Sequence, residues 1–361
     1  MNDVEGFIHE TDKRSILFSA PSIGSLVGII PSVHLISKFG VRYVLTVCGI
    51  CSSIGTFFFP FSIDVGFGAA VICRVLQGLG TSVLFMVVGV VPVHWAANNE
   101  MGTFLAILSC SYQLSNVICM PVSGLLCESS FGWRSTYYIF GAFTMVFYCL
   151  FFLFYLDSPK SHRNVSTAEL QHIEYNKTIP ERETVPYLKI CKDPTVLAAW
   201  LCEVGGNTGF YILVLYGPTY INKVLHFDVR GTGFATALPF LIAVVVKFIT
   251  GPISDRSTCV SEKARCCIFT LLSQFGLAAG FCVMSLTSNQ AIAQIAYTFS
   301  IAASSINIVG VLKCCQLRAR QHVHFVVAMI SVNAAIVRFV APVFVGTLCP
   351  DNSSEQVRNL E

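Results

Sequence analysis

Ten long apolar runs occupy this chain, and one polar stretch, residues 157–194, divides them five and five. A helix needs about 20 apolar residues to cross the hydrocarbon core of a bilayer. Inside lipid, only helices and closed barrels satisfy every backbone N–H and C=O. Runs this long and continuous read as membrane-spanning helices, near residues 16–37, 43–63, 66–92, 104–126, 136–156, 195–220, 234–253, 268–286, 291–312 and 325–348. The expected fold is an all-α integral membrane protein. It has an N-terminal helical part in 1–156, a linker in 157–194 and a C-terminal helical part in 195–361.

The charge content agrees. Charged residues are 12% of the 361 and mean hydropathy is +0.68, against about 25% charged residues in ordinary soluble domains. The partner these numbers imply is a lipid bilayer. A net charge of +3 without a basic tail is too mild to suggest a nucleic-acid partner, and none is expected. The first 14 residues are polar and acidic, unlike a cleavable signal peptide.

Orientation follows from Lys and Arg near the span ends. One set of loops holds Lys38, Arg42, Lys160, Arg163, Lys177, Arg182, Lys189, Lys192, Arg256, Lys263, Arg265, Lys313, Arg318 and Arg320. The opposite set holds Lys13, Arg14, Arg134, Lys223, Arg230 and Arg358. The first, larger set is expected to face the cytosol, which puts the linker there and both termini on the far side. Of three Asn-x-Ser/Thr acceptors, at Asn164, Asn176 and Asn352, only Asn352 falls on that far side. Within the linker, Ser166 and Glu169 have the spacing of a helix capping box and predict a short helix near 167–176.

Two cytosolic turns look alike, Ser37-Lys38-Phe39-Gly40-Val41-Arg42 and Gly251-Pro252-Ile253-Ser254-Asp255-Arg256. They resemble the glycine-plus-basic turns that join the second and third helices in each half of the major facilitator superfamily. Here the turn follows the first span of the N-terminal half but the second span of the C-terminal half. That offset leads us to expect about ten of the superfamily's twelve helices, without the first and the last.

A longer ordered set of strings narrows the resemblance. Arg74-Val75-Leu76-Gln77-Gly78-Leu79-Gly80 is followed by His94-Trp95, Glu100, Gly132-Trp133-Arg134 and Asp157-Ser158-Pro159. Phe210-Tyr211, Pro218-Thr219-Tyr220, Gly233-Phe234 and Ala237-Leu238-Pro239 come later. In order and spacing they resemble the anion:cation symporter family. The resemblance implies secondary active transport of a small organic or inorganic anion by alternating access, coupled to H+ or Na+. It also implies a plasma-membrane or endolysosomal and vesicular location. The family's carboxylate seven positions after the string's arginine is Thr81 here, which puts proton coupling in question. Its glutamate-transporting branch has an arginine where this chain has Gly206. A truncated, non-transporting member of the family is the alternative reading.

Charge within a span costs roughly 2.5–3.5 kcal/mol on insertion scales, so it faces a cavity or a partner. The spans hold Arg74, Glu203, Lys247 and Arg338. Three cations against one acid favour a small anionic solute. Arg74 leads the substrate-binding candidates, since a guanidinium offers paired donors to a carboxylate or phosphate. Gln77 and Thr81, at +3 and +7, extend a polar stripe on its face of the helix; the alternative is a structural arginine bonded to backbone. Arg338 is read equally as a cavity or a packing residue. Lys247 is expected to extend its amine to the headgroups. Glu203 is a candidate for coupling or gating, against a packing role. Asn207 and Tyr211, on the same helix amid Gly205, Gly206 and Gly209, are further substrate-binding candidates. Asp255 and Arg256 are expected to hold a cytosolic gate.

No enzyme, cofactor or metal site is expected. No glycine-rich phosphate loop of the Walker type occurs, and no acid or histidine pairs lie at catalytic spacing in adjacent spans. Cys48-x-x-Cys51, and Cys314-Cys315 with His322 and His324, match no strong zinc spacing. A single chain is expected to act as a monomer.

Overall fold

The computed structural model describes residues 11–97, 101–175, 187–256, 260–287, 289–319 and 323–348. Every regular element among them is helical. In chain order these are α1 Thr11–Phe57, α2 Phe59–Val65, α3 Phe67–Trp95, α4 Met101–Glu128, α5 Gly132–Phe154, α6 Thr167–Glu174 and α7 Tyr187–Cys191. They continue with α8 Pro194–Lys223, α9 Val229–Arg256, α10 Glu262–Leu286, α11 Gln290–Ser305, a π-helical turn Ile308–Leu312, α12 Lys313–Ala319 and α13 Val323–Leu348. The acceptors Asn176 and Asn352 and the basic residues Lys177, Arg182, Arg320 and Arg358 lie outside the described residues.

Among the described residues, nine helices are long and apolar enough to cross a membrane, the two arms of α1 (Lys13–Ile36 and Lys38–Phe57) counting separately. The remaining expected span, 104–126, falls on α4, a 28-residue helix with Tyr112, Gln113, Ser115 and Asn116 in its middle. The chain is a multi-pass integral membrane protein. Its outer surface suits lipid: α5 alone turns outward Phe143, Phe147, Leu153 and Phe154, each more than half exposed. Apolar area of this kind, left uncovered, does not belong on a soluble monomer.

The arms of α1 are joined without a loop. Gly40 turns the chain with φ 83°, a conformation that disfavours any side chain. Asp157, the first residue of the linker, then caps the second arm. Its Oδ1 accepts from the backbone N–H of Val41 at 2.8 Å and of Arg42 at 3.1 Å, which satisfies donors a helix start leaves open. Arg42 completes the joint, with Nε on the Phe152 carbonyl at 2.8 Å and its guanidinium 4.4 Å from the Phe152 ring centroid. The linker ends on a second aspartate. Asp193 caps α8 through the Thr195 N–H at 2.9 Å and pairs with Arg318 at 2.6 Å. Between them, α6 forms on the predicted cap, with the Ser166 hydroxyl accepting from the Glu169 N–H at 3.2 Å.

Both arms of α1 pack on α3, and α5 packs on α1. In the C-terminal part, α11 lies against α9 and α10, and α13 against α8. The two groups meet along two seams, α4 with α9 and α1 with α13. At the end of the first seam remote from the basic loops, Gly124 and Gly233 let the backbones touch. A Cβ on Gly233 would stand 2.7 Å from the Met120 carbonyl oxygen. Nearer the basic end, the same helices bring polar side chains together, Gln113 of α4 and Lys247 of α9 among them.

Candidate functional site

Those side chains border a cavity of about 470 Å³ at the junction of the two groups. Helices α3 and α4 contribute Thr81, Tyr112, Gln113 and Asn116; α8 contributes Glu203, Asn207, Phe210 and Tyr211. Lys247, Gln274, Asn307 and Arg338 come from the remaining C-terminal elements.

Lys247 departs from its sequence expectation. It does not extend to the headgroups: the residue is 4% exposed, and Nζ donates to Gln113 Oε1 at 2.8 Å and to the Ser109 carbonyl and hydroxyl at 3.3 and 3.4 Å. The α4 helix offers three neutral oxygens within reach, so the ammonium is solvated by protein rather than by the interface. The bonds cross the seam between the two groups and leave a buried cation facing a cavity with no carboxylate among those three partners.

Arg338 lies at the cavity on α13. Its Nε donates to the Ala334 carbonyl at 3.3 Å, and its guanidinium lies 5.1 Å from the Tyr211 ring centroid. Tyr211 itself meets Phe210 edge to face at 5.6 Å. Glu203 is 7% exposed and accepts from Asn307 Nδ2 at 2.7 Å. Gly206 and Gly209, on the same helix, allow α10 to approach, with Gln274 and Leu277 against them, while Gly205 has nothing within 4 Å.

The structure does not bring Arg74 and Gln77 to this cavity. Arg74 donates through Nη1 to Gln77 Oε1 at 3.1 Å and through Nη2 to the Tyr137 hydroxyl at 3.0 Å. Its guanidinium lies 4.1 Å from the Phe59 ring centroid. Gln77 turns its amide to the Gly55 carbonyl at 3.5 Å. Thr81, one turn further, does line the cavity, and its hydroxyl is 2.5 Å from that of Ser25 on α1. The string around Arg74 also serves packing: a Cβ on Gly78 would strike the Pro21 carbonyl. Asp255 and Arg256 end α9, and their side chains lie outside the described residues.

Tyr112, Gln113, Asn116, Gln274 and Asn307 were not candidates on sequence. Their signal is uncharged polarity inside apolar runs, as in Ser111-Tyr112-Gln113-Leu114-Ser115-Asn116 and Ser304-Ser305-Ile306-Asn307. Neither string carries a charged residue. Among the described residues, no group of three His, Cys, Asp or Glu side chains converges, and Cys48, Cys51, Cys314 and Cys315 are free thiols.

Fold and site together define a multi-pass membrane protein in which two groups of helices enclose a polar cavity at their junction. The chain matches the Major Facilitator Superfamily over residues 14–342 and belongs to it. It is similar to human sialin, 27% identical over 343 residues, which are 91% of this chain and 68% of sialin. It is also similar to human sodium-dependent phosphate transport protein 1, 28% identical over 250 residues, 68% of this chain and 53% of that protein. The chain thus spans about two thirds of the one relative and about half of the other. Among solved structures it resembles a D-xylose–proton symporter, with a TM-score of 0.70 over 97% of this chain and 85% of that one. At 14% identity that likeness concerns the fold alone.

Proposed function

We propose that this protein is a secondary transporter that carries a small anion across its membrane, unchanged, by alternating access. The observation that carries the reading is the pair of cations on one cavity between two helical groups. Lys247 is held by neutral oxygens and Arg338 by a backbone carbonyl and a ring face. Among the described lining residues, one carboxylate, Glu203, stands against them. An entering anion finds two positive groups in a setting of low dielectric, where charge attraction is strongest. The names of the relatives, sialin and a sodium-dependent phosphate transport protein, support an anionic solute.

In this reading Arg338, Tyr211, Asn207 and Thr81 contact the solute, and Lys247 attracts its charge. The parts 1–156 and 195–361 are the rocking units, and 157–194 tethers them. Arg74 and Gln77 act indirectly, by fixing α3 against α2 and α5. Asp255 and Arg256 gate the basic end. The membrane is the plasma membrane or a vesicular one, and the working unit is one chain.

The test is uptake of labelled organic acids and phosphate into proteoliposomes holding the full chain, with and without H+ or Na+ gradients. Saturable uptake of at least one anion, lost in Lys247→Ala and Arg338→Ala, is expected. Uptake that is equal in empty liposomes would end the proposal.

A further inference from the structure

Glu203 has an unusual setting for a buried carboxylate. Asn307 Nδ2 donates to it at 2.7 Å, and the Asn207 amide, one turn along the same helix, lies close enough to favour its charge. The titratable groups that sense its charge are Cys202, Tyr211 and Cys315, two thiols and a phenol. None of these supplies a positive charge. An ionised carboxylate inside a membrane protein needs a partner, because desolvation is otherwise too costly.

Two further observations converge on the same spot. Among the described residues, Asn307 Oδ1 is buried and accepts no hydrogen bond, and the Asn207 amide, although it faces Glu203 and favours its charge, makes no hydrogen bond of ordinary length through its buried Nδ2. A buried amide left with an open valence costs about 1–3 kcal/mol. Asn207 stands at i+4 from Glu203, on the same face of α8. A half-turn of its amide puts oxygen where the unpaired nitrogen lies. The second observation is the backbone after Asn307. Here α11 stops at Ser305, and Ile308–Leu312 forms a π turn. The change from i−4 to i−5 bonding breaks the regular ladder, and such turns gather at functional sites. In several carrier folds, interrupted backbone within a membrane helix helps to coordinate small cations.

We propose that Glu203, Asn307 and Asn207 form a site for a monovalent alkali cation, Na+ in the first place. The carboxylate supplies charge and the two amide oxygens supply hard neutral ligands. A lone carboxylate balances one positive charge, which disfavours a divalent ion. An all-oxygen set disfavours the softer transition metals. The cation would neutralise Glu203 and satisfy the open amides together, whereas a proton would meet only the first need. It would also tie α8 to the α11 break beside the cavity, so its binding and that of the anion would be linked. The inference rests on the carrier reading for its purpose but not for its detection.

The experiment is therefore direct binding of radioactive sodium ion to the purified full chain in detergent, alongside counterflow of labelled anion in proteoliposomes without ion gradients. Saturable sodium binding is expected in the wild type. Its affinity should fall at least tenfold in Glu203→Gln and in Asn307→Ala. Asn307→Asp, which keeps the oxygen ligand, should bind sodium at least as tightly as the wild type. It also serves if the other variants fail to elute as folded monodisperse protein. Sodium binding that is absent in folded wild type, or unchanged in Glu203→Gln, overturns the site. So does anion uptake driven by a proton gradient without sodium and lost in Glu203→Gln, which gives the carboxylate to a proton. Failure of counterflow with sodium binding intact would instead sink the carrier reading and leave the site standing.

Discussion

Arg74 and Arg338 are both arginines within membrane helices, yet their surroundings are opposites. Arg74 is enclosed by its own half, with Gln77 and Tyr137 on its terminal nitrogens and Phe59 against its face. Arg338 gives one nitrogen to the Ala334 carbonyl, rests on Tyr211 and borders the cavity. The first guanidinium has side-chain partners on both terminal nitrogens, with only the buried Nε unbonded among the described residues; the second borders the cavity, where a ligand could reach it. The comparison teaches that intramembrane charge marks a position worth keeping, while the partners already present decide between scaffold and site.

The comparison is sharpest in transport assays. Arg338→Ala and Lys247→Ala should each lower anion uptake about 10- to 100-fold in kcat/KM, the loss of one charged hydrogen bond at roughly 1.5–3 kcal/mol. Sedimentation or size-exclusion profiles should stay those of the wild type. If either variant carries the anion normally, the cavity is not the path.

Arg74→Ala should show the reverse pattern. It strands Gln77 and Tyr137 and should cost about 1–3 kcal/mol of stability, read as a lower melting temperature in detergent. KM for the anion should move less than twofold. A large KM rise with unchanged melting would return Arg74 to the solute path. Tyr137→Phe removes one contact of the same cluster and should cost about 1 kcal/mol or less, with uptake kept.

The smallest effect concerns the basic end. Burial raises the Asp193 carboxyl, but the Thr195 N–H and the Arg318 guanidinium more than offset this and hold it below the ordinary carboxylate range. The stabilisation is complete above that range and fades as pH falls through it towards the lower folded value. Because the Arg318 side chain is 59% exposed, Asp193→Asn should cost only about 0.5 kcal/mol or less. A melting series in acid should show the wild type and the variant converging.

Much of this architecture was legible in the chain. Run length located the helices, and the Lys and Arg excess marked one end. Ser166 announced its helix through capping chemistry that acts over three residues. The site was legible only in part. Glu203, Asn207, Tyr211, Thr81 and Arg338 do line one cavity, because charge or polarity in an apolar run has few places to go. Arg74 lies off that cavity, and its place could not be read locally, because its partners, Phe59 and Tyr137, come from elements whose meeting no local pattern encodes. Lys247 misled for the same reason: its depth suggested the interface, but Ser109 and Gln113 are 138 and 134 residues away in sequence. Asn307 was invisible because an uncharged amide in a run of serines looks like helix packing.

The bare backbone contact at Gly124 and Gly233 has a mechanical consequence. With no side chains between them, the two helices can roll on each other there, like a lever on its fulcrum. Ser109 lies 15 residues along α4 from that point and Gln113 lies 11, or about 22 and 16 Å at 1.5 Å per residue. A turn of about 10° at the fulcrum would carry those positions roughly 3–4 Å, more than the hydrogen bonds from Lys247 can stretch. A slight tilt of one half would thus unfasten the ammonium from α4 and leave it facing the cavity without those three oxygens.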